Sequence, residues 1–291
     1  MKKNNDIKEV VVITGASSGF GYNAAIMLAE KGYKIYALAR RIEKMEELKN
    51  YDITPMKLDV TSDDDVKKVI DEIGTKEGHI DTLINCAGYG AFGPVEEVNI
   101  DEAKYQLDVN VLSISRLTSA TLKYMRPNNK GRIINIASVA GICPLYFGAW
   151  YNASKFAVEG LSAAMRMELK KFNIKVIIIE PAAFASNWGV IAKDKLLKYS
   201  INTPYEEDGK LVSNIYANTF AKKGFIAKDP IISSKKIVKA ATKKHPRYHY
   251  RFGRFSNMLP LMYHFLPKSL YDKLILGTFN SRFAKKIANK N

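Results

Sequence analysis

Six short apolar runs, several rich in β-branched residues, recur through the first 181 positions with helical stretches between them. This alternation constrains the fold more than any other feature. EVVVIT (9–14), KIYALA (34–39), ITPMKLDV (53–60), IDTLINCAG (80–88), GRIINIAS (131–138) and KVIIIEP (175–181) read as strands. Helices are expected over 19–31, 41–49, 96–125 and 150–171. A further helix follows Ser62, which is placed to cap it, with Val66, Val69, Ile70 and Ile73 on one face. Strands joined through helices form right-handed βαβ units and a parallel sheet. The expected class is α/β, a doubly wound parallel sheet in a single domain with a C-terminal helical extension. The domain is expected over 1–255, with helices in 183–225 capping the open end of the sheet, and the extension over 256–291.

A chain of 291 residues suits that plan. The cysteines Cys86 and Cys143 lack the spacing of a metal site or a disulfide framework, which points to a reducing, cytoplasmic compartment. The N-terminal apolar run, Val10 to Ile13, is too short for a signal-peptide core, and no run of about 18 apolar residues could span a membrane. Of the net charge of +16, residues 226–291 carry +13. Two readings of this basic tail stand: a solvated surface, or contact with something acidic such as an anionic membrane. No zinc, helix-turn-helix or RNA-binding signature accompanies the charge, which argues against nucleic acid as a partner.

TGASSGFG (14–21) lies between the first strand and the first helix. Gly15, Gly19 and Gly21 permit a tight turn, close approach of backbone to phosphate, and close helix packing. Ser17, Ser18 and Phe20 join them as cofactor contacts where the helix N-terminus favours a pyrophosphate. The second strand ends ALARR (37–41). An acidic residue there would bind a ribose 2′-hydroxyl; this chain has Ala39, then Arg40 and Arg41, whose guanidinium groups suit a 2′-phosphate. NADP(H) is therefore expected in preference to NAD(H). Asp59 and Val60 end the third strand, where a carboxylate and a backbone amide can touch an adenine; Asp59 is equally placed to open the next helix.

In YNASK (151–155), Tyr151 and Lys155 share one helix face. A tyrosine titrating near 10 is a poor base at neutral pH. A nearby ammonium favours the phenolate, and oxidised nicotinamide, also cationic, should push the same way. Tyr151 can then take a proton from an alcohol, or give one to a carbonyl, as hydride moves. Ser138 ends the fifth strand and can hold the substrate oxygen beside Tyr151. Asn110 interrupts an apolar stretch with Val109, Val111 and Leu112. It marks either a helix distortion satisfied by water or a water site linked to Lys155.

In this order and spacing, TGASSGFG, NCAG (85–88), Asn110, Ser138 and YNASK resemble the short-chain dehydrogenase/reductase family over about residues 8–190. The resemblance implies a Rossmann-type single domain and a catalytic tetrad of Asn110, Ser138, Tyr151 and Lys155, with Lys155 also on the nicotinamide ribose. It implies further cofactor contacts at Asn85, Ala87 and Gly88 and, within EPAAFASNW (180–188), at Pro181, Ala182, Phe184 and Ser186. A homodimer or homotetramer is expected. Departures from the family pattern are Ala182 after Pro181, Ser186 where threonine is usual, and Cys86 in place of a commoner asparagine; Cys86 reads as a small core residue. The end of the second strand, the Asn187-Trp188 pair and HPRYHYRFG (245–253) are similar to a branch holding 17β-hydroxysteroid and retinol dehydrogenase-like enzymes.

Ile142, Cys143, Leu145, Tyr146, Phe147 and Trp150, with residues 183–225, suggest an apolar pocket for a sterol, retinoid or long acyl carbonyl or alcohol, although core packing produces part of the same pattern. Other functions weighed are a non-catalytic NADP-binding or sensing protein, a reductase of small ketones or 3-oxoacyl groups, and a sugar-nucleotide epimerase. The intact tetrad argues against the first, and chain length and glycine spacing against the last. In the tail, Ser269 is expected to cap a helix with Leu270, Leu274 and Thr278 on one stripe and Tyr271, Ile275, Phe279, Phe283 and Ile287 beside it. Lys273, Arg282, Lys285 and Lys286 add charge, and Gly277 weakens the helix midway. Such a helix either roofs the pocket or lies in a membrane interface.

Overall fold

In the computed structural model, which describes residues 8–182, 188–220 and 230–280, the apolar runs become the strands of one sheet. They are β1 (Val10–Thr14), β2 (Lys34–Ala39), β3 (Ile53–Lys57), β4 (Thr82–Asn85), β5 (Gly131–Ile136) and β6 (Ile174–Pro181), followed by β7 (His249–Phe252). All pair in parallel in the order β3-β2-β1-β4-β5-β6-β7. The winding reverses at β1, which has β2 on one side and β4 on the other. A crevice between diverging connections at the carboxyl ends of the strands is where open α/β sheets bind ligands.

The helices are α1 (Gly19–Ala29), α2 (Asp63–Glu77), α3 (Ile100–Leu107), α4 (Ser113–Met125), α5 (Ala149–Glu168), α6 (Trp188–Ser200), α7 (Glu206–Phe220), α8 (Pro230–Thr242), α9 (Met258–Phe265) and α10 (Lys268–Asn280). Strand side chains alternate between faces. Val10 and Val12 pack with Val66 and Ile70 of α2, Leu117 of α4 and Val158 of α5. Val11 and Ile13 pack on the other face with Ala24 and Leu28 of α1 and Ile237 of α8. Ser62 caps α2 as expected, its Oγ accepting from the Asp65 N–H at 3.2 Å.

Several boundaries differ from the sequence reading. The stretch after Arg41 forms tight 3-10 turns over Ile42–Tyr51. The long helix begins at α3, where Asn99 Oδ1 accepts from the Glu102 N–H at 2.8 Å, and a π-helical turn, Asp108–Leu112, separates α3 from α4. Ser269 does not cap α10. The Pro267 carbonyl accepts from the Leu270 and Tyr271 N–H groups, which places Ser269 inside the first turn. Phe283, Ile287, Arg282, Lys285 and Lys286 lie outside the described residues.

The strand missing from the sequence reading is β7. Tyr250 and Phe252 are buried on one face of it. From the other face, His249 Nδ1 lies 2.7 Å from Glu180 Oε1 and Arg251 Nε donates to Glu180 Oε2 at 2.7 Å. Glu180 is 1% exposed, so these partners are what make its burial tolerable. A run that reads as a charged tail is therefore an edge strand fixed to the end of β6.

Candidate active site

The turn after β1 is shaped by two left-handed glycines, Gly15 at φ +65° and Gly19 at φ +61°. A Cβ on Gly15 would stand 2.8 Å from the Ala87 nitrogen and the Cys86 carbonyl group, and one on Gly21 would stand 2.9 Å from the Gly15 oxygen. The turn is thus pressed against the segment after β4. The Ala87 N–H donates to Thr14 Oγ1 at 3.3 Å, a tie the sequence reading missed. Above Gly19 a Cβ would meet no atom within 4 Å, so the cradle is open on that side. Ser17, exposed Ser18 and half-buried Phe20 line the same turn, at the N-terminus of α1. Backbone N–H groups at a helix start beside an open glycine face fit a pyrophosphate.

Arg40 and Arg41 stand at the end of β2, both exposed. Arg41 donates to Ser17 Oγ at 3.2 Å, which brings it to the glycine turn, and Arg40 hydrogen-bonds the Tyr105 hydroxyl. Two guanidinium groups beside the cradle fit a 2′-phosphate. Asp59 is engaged locally. Its Oδ1 accepts from the Thr61 N–H at 3.0 Å and from the Thr61 hydroxyl at 2.7 Å. Burial works against its charge, but the Thr61 hydrogen bonds and the charge of Arg40 hold Asp59 below the usual carboxylate range. These bonds close the turn that leads into α2, and Val60 beside Asp59 is buried. The Asn85 side chain turns into the sheet, where its Nδ2 donates to Asn135 Oδ1 at 2.8 Å. Ala87 and Gly88 stay beside the crevice, and Gly88 is exposed. Pro181 ends β6, and the Ala182 N–H donates to the Phe252 carbonyl at 3.0 Å. Phe184 and Ser186 lie outside the described residues.

Ser138, Tyr151 and Lys155 come together. Tyr151 and Lys155 occupy successive turns of α5, both buried, with Lys155 Nζ 5.8 Å from the Tyr151 ring centroid. Lys155 Nζ donates to the Ile136 carbonyl at 2.8 Å. Ser138 Oγ accepts from the Ala140 N–H at 3.1 Å and shares a hydrogen bond with Tyr151. Burial pushes Tyr151 up to about 12 against the opposing pull of that bond. Burial also brings Lys155 down to about 8. Burial thus dominates at Tyr151, and the two cations expected to favour the phenolate, the Lys155 ammonium and oxidised nicotinamide, would act against it.

Asn110 sits in the π-helical turn with its amide occupied at both ends. Oδ1 accepts from the Tyr89 N–H at 3.0 Å, while Nδ2 donates to the Tyr89 carbonyl at 2.9 Å and to Ser154 Oγ at 3.0 Å. The helix distortion is real, but protein groups satisfy this side chain. Asn110 ties the segment after β4 to α5 beside Tyr151.

An apolar, aromatic wall adjoins Tyr151. Phe92, Phe147, Tyr151, Leu196, Val212 and Tyr216 form one buried cluster, with Tyr146 and Phe279 against it. The Phe92 ring lies 5.3 Å from that of Tyr151 and 5.4 Å from that of Tyr216. Phe147 holds φ at +57°, rare for a bulky residue. Its carbonyl accepts from the Gly93 N–H at 2.9 Å and its ring stacks on Tyr146 at 4.1 Å. Phe147 belongs to this cluster and Leu145 and Tyr146 pack against it, whereas Cys143 packs elsewhere, against Tyr271 and Val139. Ile142 and Trp150 are half-buried and belong to none of these clusters.

Sequence reasoning missed Phe92, which lies in a loop with no periodic signal, and Glu102. Glu102 fastens the cap helix α6 to α3. It accepts from Lys195 Nζ at 2.6 Å, from the Tyr89 hydroxyl at 3.0 Å and from the Tyr199 hydroxyl at 3.2 Å.

Residues 9–194 match the family described as short chain dehydrogenase. The chain is 35% identical over 271 residues to a probable short-chain type dehydrogenase/reductase, VdlC, of Helicobacter pylori, covering 91% of this chain and 96% of that protein. It is 37% identical over 176 residues to a 3-ketodihydrosphingosine reductase of Bacteroides thetaiotaomicron, covering 60% of this chain and 64% of the other. A solved serine dehydrogenase in complex with NADP+ superposes with a TM-score of 0.70 at 25% identity, covering 82% of this chain and 92% of its own.

Proposed function

The chain belongs to the short-chain dehydrogenase family, and we propose that it is an NADP(H)-dependent oxidoreductase of a bulky apolar carbonyl or alcohol, with Tyr151 as the proton-transfer residue. One observation carries the reading: the buried Tyr151 hydroxyl, hydrogen-bonded with Ser138, borders a wall made of Phe92, Phe147 and Tyr216. Bound nicotinamide supplies the hydride in reduction and accepts it in oxidation. In reduction, Ser138 holds the carbonyl oxygen by a hydrogen bond and Tyr151 gives that oxygen its phenolic proton. The Lys155 ammonium, held by the Ile136 carbonyl, stabilises the phenolate that remains and binds the ribose. In oxidation the same proton returns from the alcohol to Tyr151.

Arg40 and Arg41 select NADP(H), a choice supported by the NADP+ complex of the serine dehydrogenase neighbour. The aromatic wall supports a polycyclic or long-chain substrate, a hydroxysteroid, a retinoid or a keto lipid, as in the 17β-hydroxysteroid and retinol dehydrogenase-like branch. The reductase relative named for a 3-keto sphingoid base adds support for the keto lipid. Exposed Leu112, Phe156 and Met167 on the α4–α5 side support a homodimer or homotetramer. The free thiols Cys86 and Cys143 suit a cytoplasmic setting.

NADPH oxidation is the test, followed with a long-chain 3-keto lipid, a ketosteroid, retinal and butanone at matched concentrations. Turnover of one of the bulky compounds at least about tenfold above butanone is expected. Turnover of butanone alone would overturn the substrate class.

A further inference from the structure

The C-terminal hairpin of α9 and α10 has two apolar faces, and the site uses only one. The inner face is buried. Tyr271 packs with Val139, Cys143 and Met262, and its hydroxyl donates to the Pro144 carbonyl at 3.3 Å. Further along α10, the Phe279 ring lies 5.7 Å from that of Tyr146 and 6.2 Å from that of Tyr216, at the rim of the substrate wall. The hairpin therefore roofs the site.

Among the described residues, the outer face is left without cover. Met258, Leu261 and Phe265 recur at three- and four-residue spacing on α9, and Leu270 and Leu274 follow at four-residue spacing on α10. All five are exposed, Phe265 by 74%. This is a dense run of large apolar side chains in 17 positions, beyond the scattered leucines normal on a protein surface. Exposed Arg254, Lys268 and Lys273 border it, and Asp272 is the one acidic residue between positions 254 and 280. The last 66 residues of the chain carry a net +13.

We propose that this outer face lies on an anionic lipid bilayer, so that the mouth of the site opens towards substrate dissolved in the membrane; the inference rests on the apolar-substrate reading. An apolar strip bordered by cations matches the boundary between acyl chains and acidic headgroups. Among the described residues no helix is long and apolar enough to cross a membrane, so the hairpin would lie in the interface. A protein partner would need acidic groups around its own apolar patch. A bilayer containing phosphatidylserine offers both features over any area and fits a face built from two helices.

The test is co-sedimentation of the full-length protein with vesicles of phosphatidylcholine alone, and with phosphatidylserine added, at low and high salt. Binding to the anionic vesicles at low salt is expected, falling at least about tenfold in high salt or without phosphatidylserine. Leu261→Glu/Phe265→Glu should abolish sedimentation while leaving kcat/KM for a water-soluble ketone within about twofold. Lys268→Glu/Lys273→Glu should weaken it and flatten the salt dependence. Protein that stays in the supernatant at low salt overturns the proposal. So does a Leu261→Glu/Phe265→Glu variant that dissociates an oligomer in the absence of vesicles, because the face would then join copies of the chain. Sedimentation is read without turnover, so failure of the substrate reading and failure of the docking reading are separable.

Discussion

Gly15→Ala and Gly19→Ala should fail in different ways, although both glycines hold left-handed backbone at nearly the same φ, +65° and +61°. An L-residue in that conformation costs about 1–2 kcal/mol. At Gly19 that is most of the cost, because the new methyl meets no protein atom within 4 Å. At Gly15 the methyl would stand 2.8 Å from the Ala87 nitrogen and from the Cys86 carbonyl carbon and oxygen. These are backbone atoms, and relieving the clash means shifting the segment after β4. Overpacking of this kind adds roughly 1–3 kcal/mol. Gly19→Ala should therefore lose about 1–2 kcal/mol of stability and Gly15→Ala roughly 2–5 kcal/mol. Binding separates them again: the space over Gly19 is the open side of the cradle, so its methyl competes with the cofactor directly. Gly19→Ala should stay folded and lose NADPH affinity by about tenfold or more, equivalent to about 1.4 kcal/mol. Urea unfolding gives the stabilities and NADPH fluorescence titration the affinities. Gly19→Ala binding NADPH within twofold of the parent would refute the cradle, and equal stability of the two variants would refute the packing.

Tyr151→Phe should remove at least about 99% of turnover while NADPH still binds, since the ring keeps its contact with Phe92 and only the proton donor goes; single-turnover kinetics beside a binding titration reads both. Arg40→Ala should cost NADPH about ten- to a hundredfold in affinity, one charge-assisted contact, and leave NADH nearly unchanged. Carbonyl reduction needs a protonated Tyr151, held at about 12, and a charged Lys155, held at about 8, so kcat/KM should be level below pH 8 and fall as pH rises through it. Glu159 is pushed up to about 8 by burial and by Glu180, so Glu159→Gln should keep the fall and Lys155→Met should abolish it. Arg251→Ala leaves Glu180 buried with one partner fewer and should destabilise the fold by about 3 kcal/mol in urea, with Glu180→Gln in the same background restoring part of it.

Strands β1, β2 and β6 were legible because their residues are largely apolar on both faces, the mark of a covered parallel sheet. The seventh was not: HYRF is apolar only at Tyr250 and Phe252, and its polar half makes sense only once Glu180 is opposite it. The glycine turn, Ser138, Tyr151 and Lys155 could be read because the chemistry fixes residue type and local spacing together. The side-chain partners of Asn85 and Asn110 were not legible for one reason. Each amide has a partner more than 20 residues away, Asn135 for the first and both Tyr89 and Ser154 for the second, and no local pattern announces such pairs. Phe92 and Glu102 escaped in the same way.

The tail shows a different limit. Its two stripes, Leu270, Leu274, Thr278 and Tyr271, Ile275, Phe279, are offset by a single residue, or about 100° around the helix. An apolar band that wide can satisfy a roof and a second surface at once, so periodicity does not choose between them. The structure separates the stripes by side-chain size and partner. The inner stripe carries the aromatics, Tyr271 and Phe279, set against Cys143 and Tyr146. The outer one carries Leu270 and Leu274, exposed by 42% and 41%. A helix needing only to cover the site would gain nothing from those leucines, since exposed positions are better filled by polar residues. Covering the site and docking on a further surface are then compatible, since one stripe is packed on the body and the other stays exposed.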